Sequence, residues 1–329
     1  MMLESLLEAE LCFPQLSNSS CKKIMRPSTT SVFLYITLSF ISLITVALNM
    51  LVIISISHFK QLHTPTNLLL LSLAVSDFLV GFLVIFQILL IDGCWYLGDL
   101  MCIVYNILDY VITTASVETM VLISIDCYVA ICDPFQYPNK VTQKRVCICV
   151  SVCWIFSFLF VFVVMKENLG EPGSFNSCSG ECVVVFDQIA GLVDILFFFI
   201  GPVTTIIVLY LKVFVVAVSQ VRSIRSHVAT VRLQGSVRVT AKKSELKSAR
   251  TLGVLGVAFL ICLCPYFCLT LTGQETMFSA SSFAFVLFYF NSCLNPLIYA
   301  LFYPWFRKSV KLIFTLKILK TGSSDANIA

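Results

Sequence analysis

Seven apolar runs, each long enough to cross a bilayer, constrain this chain more than anything else in it. A spanning helix needs about 20 largely apolar residues. The runs lie at approximately Ser31–Ser57, Thr66–Leu90, Leu100–Ile131, Val146–Met165, Val185–Val218, Leu246–Leu271 and Ser282–Phe302. Hydrocarbon offers no water to the backbone, so such runs fold as helices that satisfy their own N–H and C=O groups. The expected fold class is therefore an all-α membrane protein, a seven-transmembrane helix bundle. Composition agrees: the chain is 58% hydrophobic and only 12% charged, where a soluble domain carries roughly a quarter charged residues. The joints are short and polar, and the longest, Ser219 to Glu245, is rich in Arg and Lys.

Loop charge predicts an orientation. Lys60, Lys140, Lys144, Arg145, Arg222, Arg225, Arg232, Arg238, Lys242 and Lys243 fall in one set of loops, and the tail adds Arg307, Lys308, Lys311, Lys317 and Lys320. That set belongs in the cytoplasm. The opposite set holds Asp92, Asp99, Glu167, Glu171, Glu181 and Glu275 and is net acidic; Lys22, Lys23 and Arg26 are a local exception that the later loops outvote. The expected organisation is an extracellular N-terminus over 1–30, a membrane bundle over 31–303, and a cytoplasmic segment over 304–329. In the last, Arg307, Lys308 and Lys311 lie near Phe306, Val310 and Ile313, a pattern for a short amphipathic eighth helix on membrane lipid.

The opening MMLESLLEAELCF is acidic and has no basic n-region, so it is not read as a cleaved signal peptide. Asn18-Ser19-Ser20 is an N-glycosylation acceptor triplet at Asn18. Cys12, Cys21, Cys94, Cys102, Cys178 and Cys182 fall on the outer side, where disulfides persist. Six cysteines allow more pairings than spacing can decide among. Most other cysteines lie in spans and read as small buried hydrophobes; acylation of Cys127 and Cys132 is the less favoured reading of those two. No Rossmann, P-loop, HExxH or zinc pattern occurs, and no nucleophile–base arrangement points to an enzyme. The basic residues sit in loops rather than on one face of a folded domain, so nucleic acid is not expected.

A carboxylate inside a membrane is costly and faces the bundle interior or a water-filled cavity. Asp109 lies seven residues after Cys102, roughly 10 Å down a helix. Asp194, within GLVDILFFFIGP, and Asp109 each lie nine residues into their runs, roughly 13 Å deep. Similar depth on two helices suits two carboxylates on opposite walls of one pocket. The alternatives are an Asp109 paired structurally with Tyr289, and an Asp194 turned toward the fourth span. Asp187 shares a helical face with Asp194 and reads as a solvated helix-end acid. Glu118 has no account at this level.

Each run also carries residues that stand out from its background: Asn49; Ser72 and Asp77; Asp109, Ser116, Glu118 and Asp126; Trp154; Asp194 and Pro202; Pro265; and Asn291, Ser292, Asn295, Pro296 and Tyr299. With SLAVSD ending at Asp77, Cys102 heading the third run, Tyr210 after Pro202, CLCP ending at Pro265 and NPLIY over Asn295–Tyr299, the set resembles the rhodopsin-like G-protein-coupled receptors along nearly the whole chain. NSCLNPLIYALFYPWF, SISHFKQLHTPTN and DGCWY are similar to the trace amine-associated receptors, including the fish diamine-sensing members.

The resemblance implies several assignments. Disulfides join Cys102–Cys182 and Cys21–Cys178. Asp109 is the ammonium partner, and Asp194 occupies the place of a second acid in diamine-responsive members. Tyr110, Thr113, Tyr266, Phe267, Phe285 and Tyr289 line the pocket, where aromatic faces attract alkylammonium groups. Asn49, Asp77, Ser116, Ser292 and Asn295 form a sodium- and water-binding core with the ion at Asp77; the alternative is a packing cluster with no ion. Asp126, Cys127, Tyr128, Tyr210 and Tyr299 serve coupling to a stimulatory, olfactory-type heterotrimeric G protein and cyclic AMP. The implied ligand is a small amine, favouring diamines such as cadaverine or putrescine, at the plasma membrane.

Three positions depart from the family pattern. Cys127 stands in an Asp126-Cys127-Tyr128 triplet that usually reads Asp-Arg-Tyr, leaving the acidic Glu245 without its arginine. Leu263 replaces a Trp, and Leu48 replaces a Gly before Asn49. A signalling-impaired amine receptor is therefore the second expectation. A transporter of organic cations is the third, disfavoured by an odd span count and no inverted repeat. A retinal protein would need a lysine in the seventh run, which has none.

Overall fold

The structure is a computed structural model that describes residues 10–24, 27–184, 188–230, 236–272 and 278–328, without the side chains of 220–250 and 270–282. Seven helices are long and apolar enough to span a bilayer. They are α1 (Ser28–His58), α2 (Pro65–Leu89), α3 (Asp99–Cys132), α4 (Gln143–Val164), α5 (residues 188–230), α6 (Ser236–Thr272) and α7 (Phe278–Phe302), and a short α8 (Pro304–Phe314) follows. Thr64 and Thr142 cap α2 and α4 by accepting from the Asn67 and Arg145 amides at 3.3 and 3.4 Å. Proline at the first helical position of α2 and α8 needs no amide partner.

The long basic joint is mostly helix rather than loop: α5 runs on to Thr230 and α6 begins at Ser236. Between Ser219 and Glu245 there is no proline and only one glycine, Gly235, while Arg, Lys and Ala favour helix. Both spans therefore project beyond the hydrocarbon.

The core lies where the helices converge. Val52, Ile56, Leu70, Leu73, Met120, Ile123, Leu255 and Phe259 are fully buried in one cluster. Helix α4 is peripheral: only Val146, Ser157 and Val161 of it are buried, and Val152, Ile155, Leu159 and Val163 face outward. Gly81 brings α1 against α2, since a Cβ there would lie 2.7 Å from Val46 Cγ2.

Helix α5 changes geometry in its first turns. Gln188–Asp194 is α-helical, Ile195–Ile200 is a π turn, and α geometry resumes at Gly201. Pro202 has no amide to donate to the Phe198 carbonyl, and its ring crowds that position. The Gly201 amide instead donates to Leu196 O, five residues back. Gly201 permits the close approach, because a Cβ would stand 3.0 Å from that carbonyl.

On the face where α1 begins, residues 10–24 are stapled across the bundle. Disulfides join Cys12–Cys94, Cys21–Cys178 and Cys102–Cys182. The Cys21 amide donates to Ser179 O at 2.9 Å, and Ser179 donates to Ser19 O at 2.6 Å. On the opposite face the tail folds back beside α1. Lys60 pairs with Asp325 at 3.1 Å, His58 Nε2 lies 2.9 Å from Ser323 Oγ, and Ile328 is 1% exposed.

Candidate functional site

Three clusters of polar and aromatic side chains run down the bundle. The first surrounds Asp109. Tyr105 lies one helical turn before it on the same face, and the hydroxyls of Tyr105, Tyr266 and Tyr289 all lie within its electrostatic reach. The rings form a continuous wall: Phe285–Tyr289 at 5.0 Å, Tyr266–Phe285 at 6.1 Å, Tyr266–Phe267 at 5.5 Å, and Phe267 stacked on Phe199 at 4.5 Å. This wall passes from α7 through α6 to α5. Gln87 on α2 donates its amide to the Tyr105 hydroxyl, which fixes that ring beside Trp95 and Phe86.

Asp109 and Asp194 are both half-buried, and neither has a hydrogen-bond or ion-pair partner among the described residues. The pairing of Asp109 with Tyr289 is not made, and no polar neighbour on α4 takes Asp194. Tyr110, the residue after Asp109, meets Phe198 at 6.3 Å and Phe160 at 6.4 Å. Phe198 stands four residues after Asp194 on the buried side of the π turn. That ring contact joins the stretch of α3 carrying Asp109 to the stretch of α5 carrying Asp194. Tyr110 thus belongs to an α3–α4–α5 aromatic group rather than to the α6–α7 wall. Thr113 lies on α3, half-buried. Tyr105, Gln87, Phe198, Phe199 and Phe288 were not singled out from sequence; the four-residue offset of Tyr105 from Asp109 is the one signal that points to any of them.

The second cluster lies lower in the bundle. Asn295 Nδ2 donates to Asp77 Oδ2 at 2.7 Å, and Asn49 Nδ2 donates to Thr45 O and Ser292 O, both at 3.0 Å. Ser292 also lies beside Asp77, and Ser116 is buried on α3. Asp77 Oδ1, Asn49 Oδ1 and Asn295 Oδ1 are buried oxygens that accept no hydrogen bond from the described residues. Carboxylate and amide oxygens are the ligand type that a hard cation takes. Trp154 Nε1 donates to Ser72 Oγ at 3.2 Å, and Ser72 meets Thr119 at 3.2 Å, tying α4 to α2 and α3.

The third cluster is at the foot of α3. Asp126 accepts from Thr66 Oγ1 and from Tyr137 Oη, each at 2.8 Å. Cys127 is 1% exposed in the main core cluster, beside Tyr210 and Tyr303. Tyr210 Oη donates to Leu252 O at 2.7 Å, bridging α5 to α6, and its ring lies directly over Gly256. Tyr299 is buried, with its ring 6.0 Å from Tyr303. Lys212 Nζ lies 5.8 Å from the Tyr128 ring centre. Leu263 is a buried apolar core residue. The Glu245 and Asp187 side chains lie outside the described residues.

Comparison with known proteins agrees with this arrangement. The family described as 7 transmembrane receptor (rhodopsin family) matches residues 48–299. Trace amine-associated receptor 13c of Danio rerio is 37% identical over 331 residues, covering 97% of this chain and 96% of the relative. Trace amine-associated receptor 8b of Mus musculus is 38% identical over 333 residues, with the same coverages. Trace amine-associated receptor 4 of Mus musculus is 34% identical over 334 residues, covering 98% of this chain and 96% of the relative. A seven-helix bundle with these polar clusters, matched end to end by such relatives, belongs to the rhodopsin-like receptors of the plasma membrane and, among them, to the trace amine-associated receptors, which are not enzymes.

Proposed function

We propose that this receptor binds small amines at Asp109 and favours diamines, with Asp194 taking the second ammonium group. The observation that carries this reading is the pair of half-buried, unpartnered carboxylates on α3 and α5. A matched cation offsets the cost of desolvating a carboxylate, and the bond it forms is charge-assisted. The aromatic wall covers the methylenes between the two charges. The N-terminus faces outside, Asn18 carries a glycan, and the amine enters from that side. In the second cluster Asp77, Asn295, Asn49, Ser292 and Ser116 would hold a sodium ion, which when bound supplies positive charge to the buried Asp77 carboxylate. The basic ends of α5 and α6 meet a heterotrimeric G protein of the stimulatory, olfactory type, so that binding raises cyclic AMP in sensory cells. Binding would act by favouring the active packing.

Agonist-evoked cyclic AMP in transfected cells tests this. Asp109→Asn abolishes responses to every amine, whereas Asp194→Asn lowers diamine potency at least tenfold, about 1.4 kcal/mol, and spares monoamines. An unchanged diamine potency in Asp194→Asn sinks the two-acid reading. The second reading, a receptor that binds amines and signals poorly, rests on the buried Cys127. It holds if diamines bind the wild-type protein yet only Cys127→Arg raises cyclic AMP.

A further inference from the structure

Glu118 belongs to none of the three clusters. It lies on α3, half-buried, and its Oε2 is buried with no hydrogen-bond partner among the described residues. It lines a cleft of about 470 Å³ between α3, α4 and α5, together with Val121, Cys153, Leu196, Phe197 and Pro202. The volume falls in the range of small-molecule sites, about 300–1,000 Å³. The cleft opens outward: Leu196 is 54% and Phe197 64% exposed. Both sit within a membrane span, so this mouth faces hydrocarbon rather than water.

The lining fixes the chemistry of an occupant. Thr205 also lines the cleft, but its hydroxyl is committed, donating to Gly201 O at 2.8 Å. Glu118 is the one acidic group in the lining, and the walls are otherwise nearly all apolar. The Cys153 thiol and the Ser157 hydroxyl lie within hydrogen-bonding reach of the Glu118 carboxyl, but both are neutral and Oε2 is left without a partner among the described residues. An intramembrane acid is matched by a charge, and here that charge must come on an apolar body. We propose that this cleft is a second, membrane-facing site for a lipophilic amine, which reaches it through the bilayer and pairs its ammonium group with Glu118. The site is separate from the Asp109 pocket: it lies on the outer side of the π turn, whose Phe198 and Phe199 face inward.

Photolabelling of the purified receptor in lipid nanodiscs tests the assignment without any signalling readout. The probe is tetradecylamine carrying a diazirine; the control is the matched alcohol. The expected result is saturable labelling by the amine of peptides containing Val121, Leu196 and Phe197. Glu118→Gln, which keeps the shape, reduces it about tenfold, the scale of one lost charge-assisted contact. Leu122 also lines the cleft, and Leu122→Trp, which keeps the acid and fills the space, reduces labelling similarly. Excess soluble putrescine, which lacks an apolar body, leaves it unchanged. Equal labelling by amine and alcohol means that ordinary lipid covers the cleft, and overturns the proposal. So does labelling of Glu118→Gln at the wild-type level, or labelling mapped to α6 and α7 and displaced by putrescine.

Discussion

At the foot of α3 the neighbour of Asp126 is Cys127 rather than a cation, so the carboxyl has to be satisfied by other groups. The two hydroxyl donors from Thr66 and Tyr137 take over that task. Burial and the adjacent carboxylate push the Tyr137 phenol well up, so it stays protonated, and a donor, across the physiological range. Tyr137→Phe leaves Asp126 with one donor. A hydrogen bond to a charged group contributes about 1.5–3 kcal/mol, so the purified receptor should unfold at a lower temperature; an unchanged melting temperature would contradict this. At this scale the sequence was informative wherever cost betrayed a residue. Asp77, Asp109, Asp126 and Asp194 are legible because an acid in an apolar run is expensive. Their partners are not: Thr66 lies sixty positions from Asp126, and ordinary hydroxyls carry no mark of whom they will meet. Gly256 is similar. It reads as one more small residue, yet the Tyr210 ring occupies the space its Cβ would need. Gly256→Ala should therefore displace Tyr210 from the Leu252 carbonyl and weaken G-protein activation, measured as the maximal cyclic AMP response, more than amine affinity.

The helices themselves were legible to within a few residues, because about 20 apolar residues in hydrocarbon have no other way to satisfy their backbone. Two features escaped. The extensions of α5 and α6 lie outside the hydrocarbon, where hydropathy is silent and only propensity speaks. The π turn of α5 is written in Gly201-Pro202, but a proline in a helix signals only that something must give, not whether the answer is a kink or a wider turn. That choice matters for Asp194. A π turn holds one more residue than an α turn, so it rotates everything before it by about 100° relative to an unbroken helix. Pro202→Ala restores an amide for the Phe198 carbonyl and removes the reason for the wide turn. The expected result is a receptor that reaches the cell surface but loses diamine potency about as far as Asp194→Asn does, with monoamine responses kept. Retained diamine potency would show that the phase of Asp194 is held by packing alone.

Across the whole molecule, the two faces are closed by different means. On the tail side, weak polar contacts to Lys60 and His58 and the apolar Ala326 and Ile328 hold residues 323–328 to the bundle. On the other face the closure is covalent. Two of its three disulfides follow the pattern that the family resemblance implies, and Cys12–Cys94 adds a third. Its partners are 82 residues apart, and nothing local in either stretch announces the other. The three bonds do not do the same job. Cys102–Cys182 anchors the loop after α4 to the head of α3, beside Asn106. Cys21–Cys178 ties the N-terminal segment to that loop, and Cys12–Cys94 ties the same segment to the α2–α3 connection. Residues 10–24 are thus held at two points, and backbone pairing continues between them. Bonds closing long loops typically stabilise by about 2–4 kcal/mol, but here the second tether still stands when the first is cut. The double change Cys12→Ser, Cys94→Ser should therefore leave the bundle folded and free only the first part of the segment. Amide exchange should quicken over residues 10–19 and hold steady in α1 to α7, with amine affinity reduced only modestly. Loss of surface expression comparable to that of Cys102→Ser would instead make Cys12–Cys94 a requirement for folding rather than a fastening of the mouth.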